Sequence, residues 1–237
     1  MIIRVFLLIS VFLLSATASL AQFGDISKRL GFGTQSSLSE EKIASGLKEA
    51  LQVGAENAVK LTGRTDGYFA NEAIKILMPK KLQAMEKGLR AVGYGTEVDD
   101  FVLSMNRSAE KAAPAAKKIF SDAILEMNID DARKILNGGD TAATEYFKGK
   151  TTGKLTAAFT PVVEKTMDEN NVTKQYKALA GKAKSVPFMK SPKMDITQYV
   201  VSEALDGLFY TLGQEEMKIR KDPVARTTSI LKEVFGK

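Results

Sequence analysis

The sequence predicts an all-α protein, and three observations support this prediction. Apolar residues recur every three or four positions along almost the whole chain, which is the spacing of one helix face. Alternation of apolar and polar residues with period two, typical of strands, is scarce. Ala, Lys, Glu, Leu and Met, which favour helices, are abundant. We therefore expect one compact domain of about eight to ten helices.

The first 21 residues have the layout of a secretory signal peptide. Arg4 precedes an apolar run from Val5 to Leu14, and small residues follow as far as Ala21. This run is about half of the roughly 20 residues that a membrane-spanning helix needs, so an uncleaved anchor is the poorer alternative. We predict an exported protein, in the periplasm of a Gram-negative cell, with a signal peptide at 1–21, a linker at 22–38 and a helical domain at 39–237. No Cys follows the cleavage site, so it is not a lipoprotein.

The first helix of the domain is predicted to begin after Ser39, which precedes two glutamates, and to extend to about Leu61. It carries a ladder of small residues that lets another helix approach closely, namely Gly46, Ala50, Gly54 and Ala58. A loop is expected from Gly63 to Met78, with a turn at Asp66-Gly67 and an extended piece before Pro79.

Later helices are predicted from capping residues in the same way, at Pro79, Thr96, Asn128, Asp140, Asn171, Asp195 and Asp222. Pro114 lies inside a helical pattern, which predicts two helices or one that is kinked near Ala113. The helix from Ile196 to about Lys221 is the longest and should be central, because it carries five apolar residues on one face: Val201, Leu205, Leu208, Leu212 and Ile219. Residues 186–194, which include two prolines, form a candidate linker.

The chain contains no His and no Cys, and this excludes several kinds of chemistry. Without these residues there is no imidazole or thiolate metal site, no Cys nucleophile, no Ser-His-Asp triad and no disulfide. We predict no catalytic residue, no metal and no cofactor. Catalysis, if present, would have to use carboxylates with Lys, Arg, Ser, Thr or Tyr.

Several blocks of residues, separated along the chain, resemble one known family. They are Lys60 to Gly67 with Asn71, Ile76 to Pro79, Ser104 to Arg107, Ile135 to Phe147, Ala204 to Phe209, Lys218 to Arg220 and Asp222-Pro223. Together they resemble the exported bacterial proteins of the domain of unknown function 4197, from about Ser37 to Phe235. Leu77 and Met78 depart from the Pro-Leu of that pattern. The resemblance implies a helical, exported protein and no particular activity.

Glu215 is the most informative of the acidic residues. Its helical position places it inside the apolar stripe, close to Leu208 and Ile219, so partial burial and a basic or hydrogen-bonding partner are expected. Lys218 and Arg220 lie too far around the helix to be ideal partners, and Arg107 or Arg133 from another helix is the expected alternative. A buried ion pair that sets helix register is the simpler interpretation. A ligand-binding site is the alternative, with the candidates Glu215, Arg107, Arg220, Asn106 and Thr144.

Other acidic and glycine motifs are better explained by structure. The pairs Asp99-Asp100 and Asp130-Asp131 fall in first helical turns, where negative charge suits the helix dipole. Asp168-Glu169 lacks the spacing of a calcium loop and fits a helix end. Gly138-Gly139 could form an anion cradle, but Asp140 follows directly and would repel an anion.

Lysines are concentrated in one stretch. Between 170 and 194 there is no acidic residue but six lysines, which are Lys174, Lys177, Lys182, Lys184, Lys190 and Lys193. A solvated helix face is the simpler interpretation, and anionic lipid or an anionic envelope polymer is the alternative partner. The lack of Arg argues against nucleic acid.

The leading hypothesis is a non-catalytic binding or interaction protein of the cell envelope, with an envelope protein, lipid or polymer as its partner. Two alternatives stay open. One is a carboxylate-dependent enzyme with its site near Glu215, and the other is a peripheral binder of anionic surfaces through the stretch from Lys174 to Lys193.

Overall fold

The computed structural model of the protein describes residues 39–169, 172–184, 194–225 and 232. The predicted signal peptide and the 22–38 linker lie outside the described residues. So do the cap at Asn171, the lysines Lys190 and Lys193, and nearly all of the 186–194 linker.

Eight α-helices occupy most of the described part: α1 Glu40–Gly63, α2 Gln83–Ala91, α3 Gly95–Ala112, α4 Ala116–Leu125, α5 Ile129–Leu136, α6 Ala142–Glu169, α7 Val172–Lys184 and α8 Ile196–Lys221. Short 3-10 turns are found at Lys80–Leu82, Ala113–Ala115 and Pro223–Ala225, and no described residue lies in a strand. The all-α prediction is confirmed. Because α3, the turn at Ala113–Ala115 and α4 follow one another without a break, they count as one kinked helix. The described residues then contain seven separate helices, fewer than the eight to ten expected.

The longest apolar stripe forms the centre of the core, as predicted. Helix α8 packs against α1, α3 and α6, and every residue of its predicted apolar face is buried. The Asp195 side chain accepts a hydrogen bond from the backbone N–H of Gln198, which caps the start of this helix. The small-residue ladder of α1 faces α8, because a Cβ on Gly54 would lie 3.6 Å from Ile219 Cδ1.

Most predicted helix boundaries agree with the structure, but two are wrong. Asn128 and Asp131 form a reciprocal capping box at the start of α5, as expected. Thr96, in contrast, does not start α3. Gly93 has a left-handed φ of 92° and turns the chain directly from α2 into α3, so the helix already begins at Gly95. The second error concerns Asp140, which does not cap the start of α6.

No helix within the described ranges is long and apolar enough to cross a membrane.

Candidate functional site

Glu215 is buried, as its place in the apolar stripe predicts, with an exposed fraction of 7%. Its carboxylate accepts hydrogen bonds from Asn57 Nδ2 at 3.0 Å and from Lys218 Nζ at 2.5 Å. The expectation that Arg107 or Arg133 pairs with Glu215 is therefore wrong. Lys218 can serve because its long flexible chain reaches back along the helix while most of the side chain stays exposed. The contact with Asn57 ties α8 to α1.

Asn106 and Arg107 hold the loop that precedes α2. The Asn106 side chain is fully buried, donates to the carbonyl of Ile76 at 2.8 Å and accepts from the Ile76 N–H at 2.9 Å. Arg107 bridges two carboxylates, Glu110 at 2.6 Å and Asp66 at 2.7 Å. Asp66 has a left-handed φ of 62°, so this ion pair fixes the tight turn that the Asp66-Gly67 pair predicts.

Glu110, which the sequence did not reveal as a key residue, also holds this loop. It is 4% exposed and accepts hydrogen bonds from the backbone N–H groups of Tyr68, at 3.1 Å, and Phe69, at 3.2 Å. The Tyr68 hydroxyl donates in turn to the carbonyl of Ala204 on α8 at 2.5 Å. Burial, together with the nearby Glu110 charge, raises the pKa of Tyr68. The signal in the sequence was a glutamate three residues after Arg107 among alanines.

Thr144 and Arg220 both bind Glu216, a third buried carboxylate, which follows Glu215 on α8. Glu216 accepts from the backbone N–H groups of Ala143 and Thr144, each at 2.9 Å, and from the Thr144 hydroxyl. Arg220 donates two hydrogen bonds to Glu216 and one, at 2.8 Å, to the carbonyl of Ile135. One ion pair on α8 thus caps the start of α6 and the end of α5.

This arrangement corrects the predicted cap at Asp140. The first free N–H groups of α6 are bound by Glu216, while Asp140 forms an exposed ion pair with Lys221. A carboxylate from a distant helix therefore replaces the local cap. The signal that could have revealed it is the four-residue spacing between Glu216 and Arg220 on a predicted helix.

The five candidate ligand residues therefore belong to three separate hydrogen-bond clusters. Asn106 and Arg107 are brought together at the loop, Thr144 and Arg220 are brought together on Glu216, and Glu215 faces α1. Each cluster joins helices or pins a loop.

The lysine stretch is only partly a free surface. Helix α7 buries Leu179 and Ala183, and Lys174, Lys177 and Lys184 are exposed. Lys182, in contrast, forms an ion pair with Glu97. Its Nζ lies 2.6 Å from a Glu97 carboxylate oxygen and 3.8 Å from the centre of the Tyr94 ring.

The pinned loop leads into an extended segment at residues 75–79 that presents an open groove. Side chains alternate along it: Ile76 and Met78 are buried, whereas Leu77 is 58% exposed. A depression of about 420 Å³ lies on one side and one of about 490 Å³ on the other, and both are lined by Lys75, Leu77, Met78 and Gln83. We call this continuous surface the Leu77 groove.

Among the described residues, the two halves of the Leu77 groove have different walls. The first is lined also by Phe69, Glu86, Arg90, Asp99 and Val102. The second is lined also by Pro79, Lys80, Lys81, Met194, Tyr199 and Glu203.

Two titratable groups of the second half have altered acidity. Burial, with a contribution from Glu203, raises the pKa of Tyr199 to about 12. Burial, with repulsion from Asp206, also raises the pKa of Glu203, while Lys80 lowers it. Glu203 thus holds its proton more readily than an exposed glutamate. The Tyr199 hydroxyl donates to the carbonyl of Leu77 at 3.0 Å and braces the outer edge of the segment.

The fold and these contacts define a class: an all-α protein in which buried carboxylates join the helices and a braced loop displays an open groove. The chain belongs to the family described as Protein of unknown function (DUF4197), whose model matches residues 37–236. This confirms the resemblance noted in the sequence. No curated protein and no solved structure matches the chain.

Proposed function

We propose that this protein is an exported, non-catalytic binding protein of the cell envelope that holds a partner in the Leu77 groove. The observation that carries the proposal is the exposure of a large apolar side chain, Leu77, on a braced segment between two depressions. Exposed apolar side chains in a groove favour association with a partner.

The bracing of the segment supports a binding role. Asn106 holds both backbone groups of Ile76, Glu110 holds the turn before it, and Tyr199 holds the carbonyl of Leu77. A surface that is already ordered loses little conformational entropy when a partner binds. Export of the protein is supported by the signal-peptide layout of residues 1–21.

The buried carboxylates support a role without catalysis. Glu110, Glu215 and Glu216 each receive fixed hydrogen bonds from groups that join helices or loops. Neither half of the Leu77 groove includes Glu215, so the proposed binding surface does not involve this carboxylate.

Site-specific photo-crosslinking in cells tests the groove. With a benzophenone amino acid at position 77 of the full-length protein, we expect a discrete crosslinked product of higher mass. The matched control is position 125, because Leu125 is also an exposed leucine, at 74%. Equal labelling from both positions, or none from position 77, would refute the groove as a binding site.

A second candidate function is peripheral binding to anionic surfaces through α7. The observation that favours it is the exposure of Lys174, Lys177 and Lys184 on a helix without an acidic residue. Such a face attracts anionic head groups.

Vesicle binding tests this second candidate. Changing Lys174, Lys177 and Lys184 to Glu should weaken binding to phosphatidylglycerol vesicles by tenfold or more, since each basic residue near an anionic surface contributes about 1 kcal/mol. Cosedimentation at low and high salt measures it. The control is Lys182→Glu, because Lys182 is already engaged by Glu97. Salt-independent binding, or equal loss in the control, would count against the α7 surface.

A further inference from the structure

We propose that the partner of the Leu77 groove is an extended peptide segment that carries an apolar side chain next to carboxylates. This inference rests on the proposed function and names the class of partner. Three features of the groove support it: the strand-like backbone, the exposed leucine and the distribution of charge.

Residues 75–79 lie outside the helices and turns, and Ile76 has a hydrogen-bonding neighbour on one side. On its inner side, the Asn106 amide pairs with both the N–H and the carbonyl of Ile76, as a residue on an adjacent strand would. Burial alternates over three of these residues, with Ile76 and Met78 buried and Leu77 exposed. An all-α protein thus displays a short extended edge.

The outer side of this segment is partly occupied by Tyr199, and the Leu77 N–H lies beside the depression that Tyr199 also lines. Within the described part of the molecule, the carbonyl of Leu77 is bound by the Tyr199 hydroxyl, and no described group accepts a hydrogen bond from the Leu77 N–H. An unpaired N–H beside an apolar side chain is the arrangement that binds extended peptides at sheet edges. Five extended residues span roughly 17 Å, which corresponds to a peptide of about five or six residues.

Charge in the groove favours a partner with carboxylates. The 490 Å³ half is lined by Lys75, Lys80 and Lys81 against a single described acid, Glu203. In the other half, Arg90 is neutralised by Glu86 at 3.0 Å and Asp99 at 2.7 Å. The cations that remain to meet a partner therefore lie at the lysine end.

Fluorescence anisotropy with defined peptides tests this assignment. The probe is a labelled decapeptide with a central Leu-Phe pair flanked by Glu and Asp, and the comparison is the same peptide with Lys in place of the acids. We expect only the acidic peptide to bind, with affinity that falls as salt rises. The double change Lys80→Glu and Lys81→Glu should weaken binding roughly tenfold at low salt. Leu77→Ser should weaken it by a similar factor.

The matched control is the double change Lys118→Glu and Lys134→Glu, which alters the net charge equally at exposed lysines of α4 and α5. It should leave the affinity unchanged. Equal binding of the acidic and basic peptides, equal loss in both double variants, or binding of phosphatidylglycerol vesicles in place of peptide would overturn the peptide assignment. A crosslink from position 77 without acidic-peptide binding would overturn only this inference, whereas the absence of both would overturn the groove function as well.

Discussion

Replacing Gly207 by alanine is expected to lower the free energy of unfolding by about 2 to 3 kcal/mol, the range of a strained overpacked core. A Cβ at this position of α8 would lie 2.6 Å from Tyr68 Cε1 and 3.1 Å from Ile74 Cβ. Both atoms belong to the loop between α1 and α2, and Tyr68 is fully buried. The loop must move away from α8 to admit the methyl group.

The cost of this movement includes hydrogen bonds as well as packing. The Tyr68 hydroxyl donates to the carbonyl of Ala204, one turn before Gly207, and Glu110 holds the Tyr68 N–H. Displacing the ring strains or breaks these bonds in a buried site, where an unpaired polar group is costly. Because the same loop leads to residues 75–79, the variant should also weaken binding in the Leu77 groove.

Urea unfolding followed by circular dichroism measures the effect, and Gly213→Ala is the matched control. Gly213 lies in the same helix, but its added Cβ would meet Thr141 Cγ2 at 3.5 Å and Thr144 Oγ1 at 3.6 Å, which are ordinary contacts. Alanine there should be neutral or stabilising by up to about 1 kcal/mol, since it favours the helix. If both variants behaved alike, the close approach of Tyr68 to α8 would be wrong.

Glu216→Ala is expected to destabilise the protein by about 3 to 5 kcal/mol, the usual cost of removing one partner of a buried ion pair. Its carboxylate is 5% exposed and Arg220 is 13% exposed. The substitution removes a carboxylate that binds the buried Arg220 side chain. It also leaves the N–H groups of Ala143 and Thr144, at the start of α6, without their acceptor. The junction of α5, α6 and α8 loses its common acceptor.

A double-mutant cycle with Arg220→Met separates the ion pair from the helix cap. The double variant should be less destabilised than the sum of the single changes, because each single change breaks the same ion pair and the double variant loses it only once. The control is Glu145→Ala, which breaks an exposed contact with Lys148 at 3.5 Å and should cost less than about 1 kcal/mol. Additive effects at Glu216 and Arg220 would contradict their coupling.

The sequence predicts the helices of this protein better than the contacts of its buried charges. Periodicity placed α8 at Ile196–Lys221 and identified its buried face, because helix spacing and caps are local properties of the chain. Burial of Glu215 followed from the same pattern. Its partner did not, because the pattern does not show that Asn57 of α1 comes within 3.0 Å of it.

The Leu77 groove could not be predicted from the sequence. The sequence indicated a loop with an extended piece before Pro79, and in the structure residues 75–79 follow a turn and precede a 3-10 turn. Nothing local showed that Asn106 binds both backbone groups of Ile76, or that Tyr199, more than a hundred residues later, reaches Leu77. Those contacts are what brace the segment and leave Leu77 exposed.

By itself, the sequence determined the all-α class, most helix boundaries, the apolar stripe of α8 and the membership of a family, because these depend on local spacing and composition. Only the tertiary structure decided which charges are engaged. Glu216 replaced Asp140 as the cap of α6, Lys182 was engaged by Glu97, and Lys80 and Lys81 were left beside an exposed leucine. The physical reason is that a charge is bound or free according to the groups that packing brings within hydrogen-bond distance, and these come from distant parts of the chain.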